Sequence, residues 1–132
     1  MIDNNVWDEI YQKRNTFKNI DLQYPDGTIS TIMIKGVTVK DISELNHKYD
    51  QVISKAKSNW KFKILNLIDK GSINKALSNI ENRKSMEIML LGLVDKPEGN
   101  IEQQFEFIEN NLLAGHQYTL VEEIMKVSGF KI

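Results

Sequence analysis

The stretch Ile20-Asp21-Leu22-Gln23-Tyr24-Pro25-Asp26-Gly27-Thr28-Ile29-Ser30-Thr31-Ile32-Met33-Ile34-Lys35 decides the fold class. Ile20, Leu22 and Tyr24 alternate with polar residues, and Ile32 and Ile34 resume the alternation on one face. That two-residue period is the mark of a strand with one covered side. Between the two runs, Pro25-Asp26-Gly27 supplies turn chemistry. Proline fixes φ, aspartate bonds the turn backbone, and glycine takes positive φ, so the segment predicts a β-hairpin. A lone hairpin is marginal in water, so helices must cover its apolar face.

The flanking sequence predicts those helices. Val6, Ile10 and Phe17, with Trp7 and Tyr11 as a second i, i+4 pair, predict a short amphipathic helix over Val6–Phe17. Gly36 ends the second strand, and Thr38-Val39-Lys40-Asp41 opens a helix with Thr38 as N-cap and Asp41 near its positive end. Ile42, Leu45, Tyr49, Val52 and Ile53 then make one buried stripe. The stretch Asn59–Asp69 carries two periods: Trp60, Phe62 and Ile64 alternate, while Ile64, Leu65 and Ile68 fit a helix, and helix is favoured. Gly71 breaks the chain and Ser72 caps a helix with the face Ile73, Leu77 and Ile80, continued by Met86, Met89, Leu90 and Leu93.

After the loop Asp95–Asn100, Asn100 caps a helix bearing Ile101, Phe105, Ile108 and Leu112. Gly115 stands where a C′ glycine would close that helix. The last helix carries Tyr118, Leu120, Val121, Ile124 and Val127 and closes at Gly129. The expected fold is α+β and mostly helical, an N-terminal helix and one β-hairpin packed against a bundle of four to six helices. The 132 residues are expected to form a single domain, with 1–36 giving helix plus hairpin and 37–132 the helical part.

Hydrophobic residues at 41% and charged residues at 27% are values of a globular chain. A net charge of −1 supplies no overall attraction to nucleic acid or anionic membrane. The absence of cysteine removes disulfides, zinc–thiolate sites and thiol catalysis. Basic charge is nearly all lysine, with Arg14 and Arg83 the only arginines, which disfavours bidentate phosphate recognition. The first residues lack the pattern of a signal peptide, and the longest apolar run, Ile88–Val94, is too short to span a bilayer. The expected location is the cytoplasm, with no membrane partner.

No constellation of catalytic residues emerges. His47 and His116 are far apart and have no partners at metal-ligand spacing; Glu44 beside His47 is the nearest. The carboxylates Asp8-Glu9, Glu102 with Glu106, and Glu122-Glu123 fall on predicted polar faces. Glycines form neither a phosphate loop nor a dinucleotide fingerprint. No enzyme, metal or cofactor is therefore expected. One charge run stands out: Lys55, Lys57, Lys61 and Lys63 interleave with Trp60 and Phe62, the pattern of a single-strand nucleic-acid patch. The alternative is that Trp60 and Phe62 are core residues framed by solvent-facing lysines, which the net charge favours.

Three blocks in order carry a resemblance. The first is the hairpin followed by Ile34-Lys35-Gly36-Val37-Thr38-Val39-Lys40-Asp41-Ile42-Ser43-Glu44-Leu45. The second is Gly92-Leu93-Val94-Asp95-Lys96-Pro97. The third is Leu112-Leu113-Ala114-Gly115-His116-Gln117-Tyr118-Thr119-Leu120, leading into Ser128-Gly129-Phe130. Together they resemble the tail assembly chaperones of tailed phages and defective prophages of Gram-positive hosts. His116 stands where that family usually carries glutamate. The resemblance implies a non-enzymatic role: binding the long, apolar, coiled-coil tape measure protein, keeping it in solution, assisting recruitment of tail tube protein, and leaving before the particle is complete. Self-association is compatible with such a role.

For this role the apolar C-terminal helix pair is the expected contact surface, at Leu112, Leu113, Tyr118, Leu120, Val121, Ile124 and Met125. Two other functions compete: a structural component of the phage tail, neck or baseplate, and a small nucleic-acid-binding regulator using the Lys55–Lys63 run.

Overall fold

The computed structural model describes residues 4–14, 16–64 and 70–130. They form α1 (Asn4–Lys13), β1 (Phe17–Gln23), β2 (Ile29–Lys35), α2 (Val39–Ile64), α3 (Lys70–Gly92), α4 (Ile101–Asn111) and α5 (Ala114–Val127). The architecture is the expected mostly helical α+β, with one antiparallel hairpin. No helix among the described residues is long and apolar enough to cross a membrane.

The hairpin forms as its sequence dictates. β1 and β2 pair from Phe17↔Lys35 to Gln23↔Ile29. The turn is closed by Gly27 N–H donating to Tyr24 O (3.0 Å) and Tyr24 N–H to Thr28 O (2.9 Å). Gly27 has φ +87°, which a side chain would strain. Asp26 Oδ1 accepts from the Thr28 amide (2.9 Å) and hydroxyl (2.6 Å), and those bonds hold its carboxyl below the usual carboxylate range. The period of two puts Ile20, Leu22 and Ile34 on the covered face.

That face lies on α3 and α5. Ile20, Leu22, Ile34 and Val37 pack with Met86, Met89, Leu90 and Leu93 of α3 and the residue after it, Phe105 and Ile108 of α4, and Leu120 and Ile124 of α5. Burial of each large side chain contributes about 1.5–3 kcal/mol relative to exposure. α2 packs along α3 through Leu45 and Tyr49. There the buried Glu87 receives a hydrogen bond from Lys48 Nζ at 2.5 Å. Burial, then the facing Glu87 carboxylate, push the Tyr49 phenol well above its ordinary value.

The helix signals land where caps are needed. Thr38 and Asp41 bond reciprocally at the start of α2, and Asn100 and Gln103 form a capping box on α4. α5 closes with Phe130 N–H to Met125 O and Gly129 N–H to Lys126 O, both 3.0 Å. Ser128 Oγ accepts the Val37 amide (2.8 Å) and donates to Ile124 O (2.6 Å), fastening the β2–α2 junction to the end of α5.

Four details differ from the sequence reading. The first helix ends at Lys13, where the Thr16 hydroxyl bonds Lys13 O (2.8 Å), and Phe17 opens β1 because ladder pairing claims it. Val52 is exposed rather than part of the α2 stripe. Gly71 lies within the first turn of α3, which runs unbroken to Gly92. Gly115 lies in the first turn of α5, and α4 instead closes on the extended Leu112, whose N–H reaches Ile108 O. The backbone of 59–64 is helical; the rest of the ambiguous stretch, 65–69, falls outside the described residues.

Candidate partner-binding surface

α5 presents two faces with different fates. Its inner residues Leu120 and Ile124 are 1% and 0% exposed, at the centre of the core. Expecting them on a partner surface is therefore corrected: hairpin and α3 already occupy that side. Leu112 is half-buried and packs against the core, while Leu113 is exposed at the N-cap of α5.

The outer face is the more exposed one. Tyr118, Val121 and Met125 stand three, then four residues apart, so they form one stripe along the helix. With Ala114, Gln117 and Glu122 on α5, and Asn82 and Ser85 on α3, they line an open cleft of about 490 Å3. Among the lining residues Tyr118 is 73% exposed, Met125 is half-buried, and Val121 is half-buried and packs against the core. Glu122 and Glu123 lie 3.5 and 3.6 Å from Lys126, and Glu123 also accepts from Lys18 of β1 at 2.8 Å. The Lys18 bond comes first among the causes that hold the Glu123 carboxyl below its usual value. This ion pair holds the helix on the hairpin without using the cleft.

His116 anchors the start of α5. Its Nε2 is 2.7 Å from Gln23 O; a carbonyl only accepts, so Nε2 carries the proton. Its ring meets Tyr24 edge-on at 5.0 Å. His47 is exposed beside Gln51.

A second apolar surface was not foreseen as one. On α1, Val6, Trp7, Ile10 and Tyr11 are all exposed, Trp7 by 62%, and none joins the core. Arg14 lies over the Tyr11 ring at 3.8 Å. The i, i+4 pairs that predicted the helix were the available signal, but they fit a covered face equally well.

Lys55, Lys57, Trp60, Lys61 and Lys63 lie along the last turns of α2. Lys55 is exposed, and the side chains of the other four fall outside the described residues. Among the described residues, no three His, Cys, Asp or Glu side chains gather as a metal site. No family model matches the chain, and neither a curated protein nor a solved structure is significantly similar to it.

Proposed function

We propose that this protein is a phage tail assembly chaperone that binds the tape measure protein in the host cytoplasm and assists tail tube assembly without catalysis. The observation that supports this reading is the division of α5 into a core face, Leu120 and Ile124, and an outer side with Tyr118 and Met125 beside an open cleft, Val121 lining that cleft while also packing on the core. A long coiled-coil protein carries an apolar stripe that it cannot bury alone, and a helix–helix cleft with apolar lining residues covers such a stripe by i, i+3, i+4 packing. Met125 suits a surface that must tolerate varied side chains. The order of the three sequence blocks supports the same reading. All three meet α5: Gly36 approaches Val127, Gly92 approaches Ile124, and His116 belongs to α5 itself.

The test is co-expression with the partner the proposal names, a long coiled-coil tape measure protein. The partner is expected to be insoluble alone and to co-elute with this chain. Tyr118→Glu combined with Leu113→Glu should abolish co-elution while the circular dichroism spectrum stays unchanged, because both side chains are exposed. A partner indifferent to the wild-type chain overturns the proposal. Presence of the protein at fixed stoichiometry in purified particles would instead favour a structural component.

A further inference from the structure

β2 is an edge strand whose outward side is only partly used. Tyr24 N–H bonds Thr28 O, and Gly36 N–H bonds Thr16 O, so the even-numbered residues carry the β1–β2 ladder. The odd-numbered residues of β2 therefore direct their main-chain groups away from β1. Met33 does so: its carbonyl accepts the Val94 amide at 3.1 Å, and Ile34 forms an antiparallel bridge with Leu93. The chain leaves the edge after Val94. Among the described residues, nothing hydrogen-bonds the outward main-chain groups of Thr31.

An open cleft of about 390 Å3 lies between the hairpin and α4, reaching β2 at Ile32, next to Thr31, and the departing chain at Leu93 and Asp95–Pro97. Tyr24 and Ile32 line it on the hairpin side, Phe107 and Leu112 on the α4 side, and Leu93 and Leu120 below. Phe107 is exposed on the rim. At the Met33 end, Lys96 also lines the cleft, donating to Leu93 O at 3.1 Å. Burial and then the nearby Lys35 charge hold Lys96 below the usual lysine value. Asp95 lines the cleft too, and neither lysine forms an ion pair among the described residues.

We propose that this groove binds an extended peptide segment by strand addition to β2, apolar at alternate positions and acidic at the end next to Lys96. The unpaired main chain selects the occupant. A helix has its own N–H and C=O groups already paired, whereas an extended chain offers a free row to the edge. Alternate side chains of an added strand fall on one face, here onto Ile32, Phe107 and Leu112. A carboxylate at the Met33 end supplies the counter-charge that Lys96 and Lys35 lack. The groove shares no lining residue with the α5 cleft, so the two sites stand or fall separately.

The probe is a short fluorescein-labelled peptide alternating valine and threonine, with aspartate at one end, followed by fluorescence anisotropy and backbone amide NMR. Saturable binding with amide shifts at Thr31 and Ile29 is expected. The same peptide N-methylated at alternate residues should bind about tenfold more weakly, having lost one or two main-chain hydrogen bonds. Lys96→Glu should reverse the preference, favouring a lysine-ended peptide. Phe107→Ser should weaken binding with the fold intact, since that ring is exposed; Thr31→Pro, which removes an outward N–H and leaves the ladder, should do the same. If Thr31→Pro does not fold, the N-methylated peptide and Phe107→Ser decide. Absence of saturable binding, equal affinity of the N-methylated peptide, or shifts confined elsewhere would overturn the proposal.

Discussion

Gly92 and Ile124 meet so closely that no methyl group fits between them: a Cβ on Gly92 would lie 2.5 Å from Ile124 Cγ2 and 2.6 Å from Cδ1 and Cγ1. Both residues are buried, and their approach sets the spacing of α3 and α5 under the hairpin. Gly92→Ala should therefore cost about 1–3 kcal/mol through overpacking, despite the better helix propensity of alanine. Urea denaturation would measure it. Ile124→Val in the same chain should recover part of the loss, and strictly additive effects would mean the two residues do not contact.

Gly115 should behave in the opposite way. It lies in the first turn of α5, without positive φ, and nothing stands within 4 Å of an added Cβ. Gly115→Ala should raise stability by about 0.5–1 kcal/mol. A destabilised variant would show that Gly115 closes α4, as the sequence suggested.

Substitutions along α5 should split by face. Leu120→Glu or Ile124→Glu puts an unpaired carboxylate into a site with at most 1% exposure, and the native state should be lost. Tyr118→Glu should change stability by no more than about 0.5 kcal/mol. A Leu120→Glu protein with native circular dichroism and cooperative melting would displace Leu120 from the core.

These contrasts also mark what the sequence could convey. The hairpin was legible because a period of two and a Pro-Asp-Gly turn require each other, and Thr38, Asn100 and Gly129 were legible because orphaned helix-end groups have few chemical solutions. The partition of α5 was not. Tyr118, Val121 and Met125 share the helical period of Leu120 and Ile124, and only the position of the hairpin and α3 says which stripe is covered. Gly115 was misread for a related reason: a glycine between two helical runs fits the end of one or the start of the next. The unused edge of β2 depends on where the chain turns away after Val94, and no local pattern encodes that point.

α1 offers a test of its separation from the core. Ile10→Gln with Tyr11→Gln should leave the urea midpoint and slope unchanged, since both side chains are exposed and neither joins the buried cluster. A loss greater than about 1 kcal/mol, the scale typical of mutations at buried or structured positions, would show that α1 packs on the domain.

Acid should loosen α5 from the hairpin through Glu123. Its folded carboxyl is held below the ordinary glutamate value, first by the hydrogen bond from Lys18, so the folded state binds its proton less readily than the unfolded chain. The stabilisation is complete above the unfolded value of about 4.3 and is lost as pH falls through the lower folded value. Glu123→Gln should then be less stable than wild type at pH 7, and the gap should close below the folded value, where wild-type Glu123 is protonated as well. The contact is partly open to solvent, which screens it, so the difference at pH 7 should be small and should shrink further in high salt. Chemical denaturation of both proteins across pH 2–7 would measure the gap; a gap independent of pH would mean that charge at Glu123 does not hold β1 to α5.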